Sequence, residues 1–305
     1  MNEKSIYEKL VQGQPGWCSL RDQSLWKVYG KDRTKYLNGQ IPADLSSLPV
    51  GQSLHTAALN RKGRIDCELW IANQQEAFYI DAPKEIKEST EKRLTSFLVA
   101  DKVSIEQLDN SYRLYHYFGL ESPKGFELCF FNKRFGIPGW DIWTQTGIEN
   151  FSCMEIPPKI LESLRLEAMI PRWGSELTAN IIALEAFLNK EAISFTKGCY
   201  VGQEIISRIH HLGQVNHLLT LFLCLDDNVP QCAPLFDQNQ AVGRLTSSCY
   251  SFGYEKPVAL GFLRKEFRKE GNVLRTSNDC YLKILKAPPP LDRGLFFLKS
   301  FFNPF

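Results

Sequence analysis

The sequence predicts an α+β fold, residues 1–215, followed by a small β-barrel at 216–290 and an aromatic-rich tail at 291–305. Two observations carry this reading. Up to about residue 212, short apolar-alternating segments are interleaved with helical ones in an order that does not suit a doubly wound parallel sheet. From Leu218 the texture changes to recurrent short strands separated by Gly, Pro and Asn, the pattern of a small barrel or sandwich, which places the domain break near 212–218.

Taken in order, Ser24–Lys31 alternates and ends on glycine, a strand and turn, and Lys31–Gly39 is a short helix stopped by glycine. Gly51–Asn60 and Ile65–Ile71 read as strands around the turn Asn60-Arg61-Lys62-Gly63, and Glu76–Ile80 as a further strand. Pro83–Leu98 reads as a helix, because Pro83 suits a first turn and Ile86, Leu94, Phe97 and Leu98 can share a face. Val103–Leu108, Tyr112–Phe118 and Phe126–Phe131 follow as strands, then the turn Gly136-Ile137-Pro138-Gly139 and a helix over Lys159–Ala168. The barrel strands expected are Leu219–Leu225, Ala241–Ser247, Val258–Leu263 and Tyr281–Leu285.

Composition narrows the function classes. A formal net charge of +2 with no concentrated basic run is not the footprint of a non-specific nucleic-acid binder, so direct nucleic-acid binding is not expected. No run of about 18 apolar residues is present, so no membrane span is expected, and the first residues lack the apolar core of a secretory signal. The nine cysteines are odd in number and form no C-x-x-C pair, which argues for free thiols in a reducing cytoplasm over a disulfide or zinc framework.

The most informative segment is Phe195-Thr196-Lys197-Gly198-Cys199-Tyr200-Val201-Gly202-Gln203-Glu204, running on to His210. It places a cysteine between two glycines just ahead of a helix expected to start near Gly202. The positive end of a helix dipole and the Lys197 ammonium would both favour thiolate, the form that attacks electrophiles and binds metal. The competing reading is a structural loop with a buried, inert cysteine, the ordinary fate of that residue type. His210 and His211 offer a proton relay or weak ligation, but an ordinary partly exposed pair is the expected reading.

The run Lys197-Gly198-Cys199-Tyr200-Val201-Gly202-Gln203-Glu204 resembles the K-G-C-Y-x-G-Q-E signature of YgfZ-type proteins, relatives of the glycine-cleavage aminomethyltransferase, or T-protein. Further segments resemble the family in the expected order: Val28–Arg33 followed by Tyr36–Gln40, Asn60–Ile65, Leu164–Gly174 (with Met169 where the family has glycine) and Val242–Ser247. The resemblance implies an aminomethyltransferase-like folate-binding domain followed by the barrel, with tetrahydrofolate or a derivative as cofactor. It also implies iron–sulfur client or assembly proteins as partners, including an enzyme that modifies tRNA. Cys199 is then the functional thiol, and a transient cluster contact there is left open.

Within this resemblance, Gly139–Trp143 matches the place where T-proteins present a carboxylate to the pterin, which nominates Asp141 and its neighbour Trp140. Arg165 is nominated for the glutamate tail, with a helix-surface salt bridge as its alternative. Where the T-protein carries an Asp pair, this chain has Cys67 and Glu68, with Asp66 displaced by one residue. A carboxylate must lie within hydrogen-bond reach to move a proton, so aminomethyl transfer is not expected. Two functions remain open: a folate-binding auxiliary protein for iron–sulfur enzymes, and a folate-dependent one-carbon transferase.

Overall fold

The structure, a computed structural model, describes residues 2–147, 151–186, 188, 192–213, 215–226 and 232–286. The aromatic-rich tail therefore lies outside the described residues. The α+β expectation holds, and the C-terminal strands close into a barrel.

After helix α1 (Glu3–Val11), two five-stranded sheets are built from interleaved strands. The first has the order β3-β4-β5-β2-β6, from β2 (Gln23–Tyr29), β3 (Ser53–Leu59), β4 (Ile65–Gln74), β5 (Ala77–Pro83) and β6 (Ser104–Gln107). The second has the order β10-β1-β7-β9-β8, from β1 (Gly16–Ser19), β7 (Arg113–Phe118), β8 (Leu128–Asn132), β9 (Gly139–Thr144) and β10 (Met154–Glu155). One face of the first sheet is covered by helices α2 (Arg33–Gln40) and α3 (Lys87–Thr95), over a core that includes Val28, Leu37, Cys67, Leu69, Ile71 and Leu94. The other face meets the second sheet through Leu25, Ala72 and Tyr79 on one side and Leu114, Phe130 and Trp143 on the other. Strand β4 serves both faces because successive side chains alternate: Cys67, Leu69 and Ile71 belong to the helix-covered core, whereas Trp70 and Ala72 point towards the second sheet.

Helix α4 (Pro158–Glu167) and helix α5 (Gln203–Leu212) precede the barrel, whose order is β11-β14-β13-β12-β15-β16. Its strands are β11 (His217–Cys224), β12 (Pro234–Asp237), β13 (Gln240–Ser251), β14 (Lys256–Arg264), β15 (Val273–Thr276) and β16 (Tyr281–Lys286). The barrel is fastened by two glutamates, Glu176 buried and Glu167 half-buried. Glu176 accepts from Arg165 Nη1 of α4 at 2.9 Å and from the hydroxyls of Thr246 (2.7 Å) and Ser247 (2.5 Å) of β13. Glu167 accepts from Tyr7, Ser163 and Ser251, joining α1, α4 and the barrel.

Two local expectations change. The helix expected at Pro83–Leu98 starts later, because Pro83 closes β5 opposite Gln23 and one 3₁₀ turn (Lys84–Ile86) intervenes before α3. The turn expected at Gly136-Ile137-Pro138-Gly139 ends earlier, because Gly139 opens strand β9 (Gly139–Thr144), which is paired on both sides by β7 and β8 and carries Asp141.

Helix α4 ends in a Schellman motif, with Met169 N–H on Leu166 O (2.9 Å) and Ile170 N–H on Arg165 O (3.0 Å). That motif puts Met169 at φ +56°, the left-handed region that explains the family's glycine, yet its side chain is buried. Backbone strain there costs about 1–3 kcal/mol, whereas removing a buried methionine side chain costs about 2–5 kcal/mol. Packing therefore outweighs strain, and Met169→Gly is expected to lower stability by roughly 1–2 kcal/mol, seen as a lower urea midpoint at unchanged slope.

Candidate functional site

The signature loop is held by contacts from three separate stretches of chain. Ser194 N–H donates to Pro42 O (2.9 Å) and Val201 N–H to Gly39 O (3.2 Å), which lays the loop along the end of α2. The Lys197 ammonium donates to the carbonyl oxygens of Ile41 (2.9 Å) and Ala43. From the other side the β3–β4 turn presses in. Gly63 (φ +70°) and Gly202 (φ +87°) face each other so closely that a Cβ on Gly202 would stand 2.5 Å from Asn60 O. Only glycine fits there, both for its left-handed backbone and for lack of room. Helix α5 begins at Gln203, with Gly202 as its cap. Its apolar side, with Ile206 buried and Ile209 partly so, lies in a core shared with Tyr200, Leu59, Ile65 and the barrel residues Leu219, Leu221 and Leu260.

This arrangement presents Cys199 outward. Of the nine cysteines, Cys199 and Cys232 are exposed; Cys18, Cys67, Cys224 and Cys280 are buried and the remaining three half-buried. Burial pushes the Cys67 thiol up to about 12 and that of Cys129 up to about 11. The Lys197 expectation is corrected: its ammonium is turned into the protein towards α2, and burial pulls it down to about 8, against the opposing charge of Asp44. Lys197 thus anchors the loop and is a positioning residue for Cys199. Tyr200 is buried beside it, its hydroxyl without a hydrogen-bond partner among the described residues, and Phe195 stacks on His210 at 3.8 Å. His211 is exposed.

The residues nominated for folate lie elsewhere. Asp141 is buried between the sheets, where Arg134 approaches it with Nε (3.1 Å) and Nη2 (2.6 Å), and His116 Nδ1 lies 2.7 Å from Oδ1. Arg134 Nη2 also donates to Asp81 Oδ1 of β5 at 2.8 Å, so one guanidinium ties two carboxylates from two different sheets. Asp141 therefore offers no free edge to a pterin, a correction to the sequence reading. Arg165 is likewise enclosed, paired with Glu162 (2.8 Å) and Glu176 (2.9 Å) rather than open to a glutamate tail. Trp140 is half-buried against Phe131, and its buried indole nitrogen has no hydrogen-bond partner among the described residues. No hydrogen bond or ring contact described in the structure joins Cys199 to the Asp141 cluster.

Sequence reasoning missed the seam that surrounds Asp141. Arg134 lies 4.2 Å from the Trp70 ring, Trp70 stacks on His55 at 4.4 Å, and His55 Nε2 meets Glu68 Oε1 at 2.8 Å. The other Glu68 oxygen accepts from Trp173 N–H at 2.6 Å. The available signal was polar residues inside apolar strands, His116 in Arg113–Phe118 and Asp81 in Ala77–Pro83. Such residues are stable in a sheet interior only if paired.

Charge in the seam is unevenly shared. Burial raises the Asp81 carboxyl to about 7, since its single bond to Arg134 is opposed by the nearby Asp141 charge. Burial alone would raise Asp141 too, but the two-point grip of Arg134 and the His116 hydrogen bond outweigh it and hold Asp141 at about 2. Burial lowers His116, keeping it neutral.

Residues 218–280 match the glycine cleavage T-protein C-terminal barrel domain. The whole fold is that of the aminomethyltransferases: it is similar to the crystal structure of glycine cleavage system aminomethyltransferase T from Bartonella henselae, with a TM-score of 0.80 and 17% identity over 93% of this chain and 89% of that one. Within that fold, the chain is similar in sequence to YgfZ-type proteins. It is 25% identical to tRNA-modifying protein YgfZ of Pectobacterium carotovorum over 92% of this chain and 93% of that one. It is 26% identical to the protein of the same name in Escherichia coli, over 70% and 73%. An uncharacterized protein of Haemophilus influenzae is 29% identical over 68% of this chain and 72% of its own length.

Two outcomes are expected. Brief alkylation of the native protein, mapped by mass spectrometry, should label Cys199 and Cys232 first and leave the buried Cys18, Cys67 and Cys224 unlabelled until denaturation. The second concerns pH. Asp81 binds its proton up to about 7 when folded and only to about its ordinary 3.8 when unfolded, so the folded state holds more protons in that window. Its contribution to stability is complete below about 4 and is lost as pH rises through 7. Urea midpoints of the wild type should fall between pH 5 and pH 8, and Asp81→Asn should flatten that fall.

Proposed function

We propose that this chain is a folate-binding auxiliary protein that supports the assembly or repair of iron–sulfur enzymes, tRNA-modifying ones among them, with Cys199 as its functional thiol. The observation that carries the reading is the contrast between two positions. Cys199 is exposed on a loop clamped by α2 and the Gly63 turn, whereas the position resembling the T-protein's first Asp is Cys67, enclosed in the core beneath α2 and α3. The chemistry has moved from an interior carboxylate to a surface thiol. A surface thiol suits exchange with another protein, as thiolate attacks disulfide or persulfide sulfur and ligates iron. Among the described residues no three His, Cys, Asp or Glu side chains gather as a metal site, so a cluster touching Cys199 would draw its other ligands from a partner.

Folate is proposed on the relatedness to YgfZ-type and T-proteins. With Asp141 and Arg165 engaged internally, Trp140 is the one of the three nominated residues with an unpartnered donor, on its indole nitrogen. The tests separate the parts. Tetrahydrofolate titrated into the purified protein should bind saturably; no binding would remove folate from the reading and leave the thiol role standing. Ammonia release from an aminomethylated carrier protein, with tetrahydrofolate present, should be absent; robust release would favour the one-carbon transferase. Cells carrying only Cys199→Ser should make the protein in normal amounts yet lose iron–sulfur enzyme activity. A serine hydroxyl stays protonated near neutral pH and is a poor ligand for soft metals. Normal activity in those cells would make Cys199 structural.

A further inference from the structure

A cavity of about 440 Å³ opens where the connections between the two sheets meet, lined among others by Arg21, Gln23, Lys84, Asp109, Tyr112 and Arg113. Arg21 comes from the β1–β2 turn, Lys84 from the turn after β5, and Arg113 from the start of β7. Three elements far apart in sequence thus direct three cations to one concavity. None of these cations has a carboxylate partner among the described residues: Arg21 reaches only the Ser19 hydroxyl, at 3.3 Å, and no ion pair is formed by Lys84 or Arg113. The single acid on the wall is already engaged, since Asp109 accepts from Leu25 N–H at 2.6 Å and pairs with Lys87 at 2.9 Å.

We propose that this cavity is a binding site for a small, multiply charged oxyanion, a phosphate ester or an oligocarboxylate. The size falls in the range of small-molecule sites, about 300–1,000 Å³. In a chain whose net charge is only +2, three uncompensated cations converging on one concave surface make a local field that concentrates anions. Tyr112 adds a neutral hydrogen-bonding group, and the arginines can grip phosphate or carboxylate oxygens with two parallel bonds. The site shares no residue with the signature loop or the Asp141 seam, so it stands whether or not folate binds.

The test is calorimetric titration of the full chain at low salt with inorganic pyrophosphate in one arm and tri-L-glutamate in the other. At least one probe should bind, and raising the salt should weaken it. The double variant Lys84→Ala/Arg113→Ala should weaken binding by about tenfold or more, while a control on remote cations, Lys31→Ala/Lys62→Ala, should not. Stronger binding of pyrophosphate assigns a phosphate ligand, and stronger binding of triglutamate a carboxylate one. The single variant Arg113→Gln, checked by circular dichroism, guards against misfolding of the double variant and should weaken binding in the same direction. Absence of binding in both arms, or equal binding by the wild type and a folded Lys84/Arg113 variant, would overturn the proposal.

Discussion

Arg134 carries a charge it cannot lose, and it lies buried between two sheets with a carboxylate from each. Everything around it follows from the need to satisfy that charge. Such an arrangement is not in itself a large source of stability, since desolvation offsets much of the attraction, yet removing one partner typically costs on the order of 3–5 kcal/mol. Its effect is on geometry. A one-residue slip of β5 or β9 would turn Asp81 or Asp141 to the opposite face and strip the guanidinium of one of its two carboxylates. The cluster therefore fixes how the two sheets are registered against each other. It extends through Trp70 and His55 to Glu68, whose second oxygen holds the backbone of Trp173.

The separation of thiol from carboxylates gives the chain its chemical character. In β4, neighbouring residues go to opposite destinations: Cys67 into the core under the helices, Glu68 into the seam. Neither is free to work on a substrate as it stands. Cys199, one of two exposed cysteines, lies some 130 residues further along, and what positions it is backbone: carbonyls of Ile41 and Ala43 gripping Lys197, and two left-handed glycines in contact.

What could be read from the sequence was local. The barrel strands β11, β13, β14 and β16 announce themselves by alternation, and the signature loop by its glycines, because those signals sit within a few residues of one another. The short strands β12 and β15, four residues each, carry too few positions to show a period. Asp141 was legible as a carboxylate but not as one already held, because its partner His116 lies 25 positions away on another strand and Arg134 folds back onto it only once β8 and β9 pair. For Arg165 the salt-bridge alternative was legible, since Glu162 lies one turn earlier on α4; its second partner was not, because Glu176 follows eleven residues later, beyond the helix end, and reaches back only because the chain turns at Met169.

The shared core beneath the signature loop has a consequence for how such a chain can diverge. Tyr200 and Ile206 rest on the same apolar cluster as Leu219, Leu221 and Leu260, and Glu176 fastens that region to the barrel through Thr246 and Ser247. The barrel, through Leu219, Leu221 and Leu260, forms part of the mould in which the loop is cast. A fragment ending before residue 216 would keep every letter of the signature and lose its shape. The heritable unit is thus the whole two-part chain, and recombination that exchanged the barrel for another would have to match the underside of α5 before the cysteine could be presented at all.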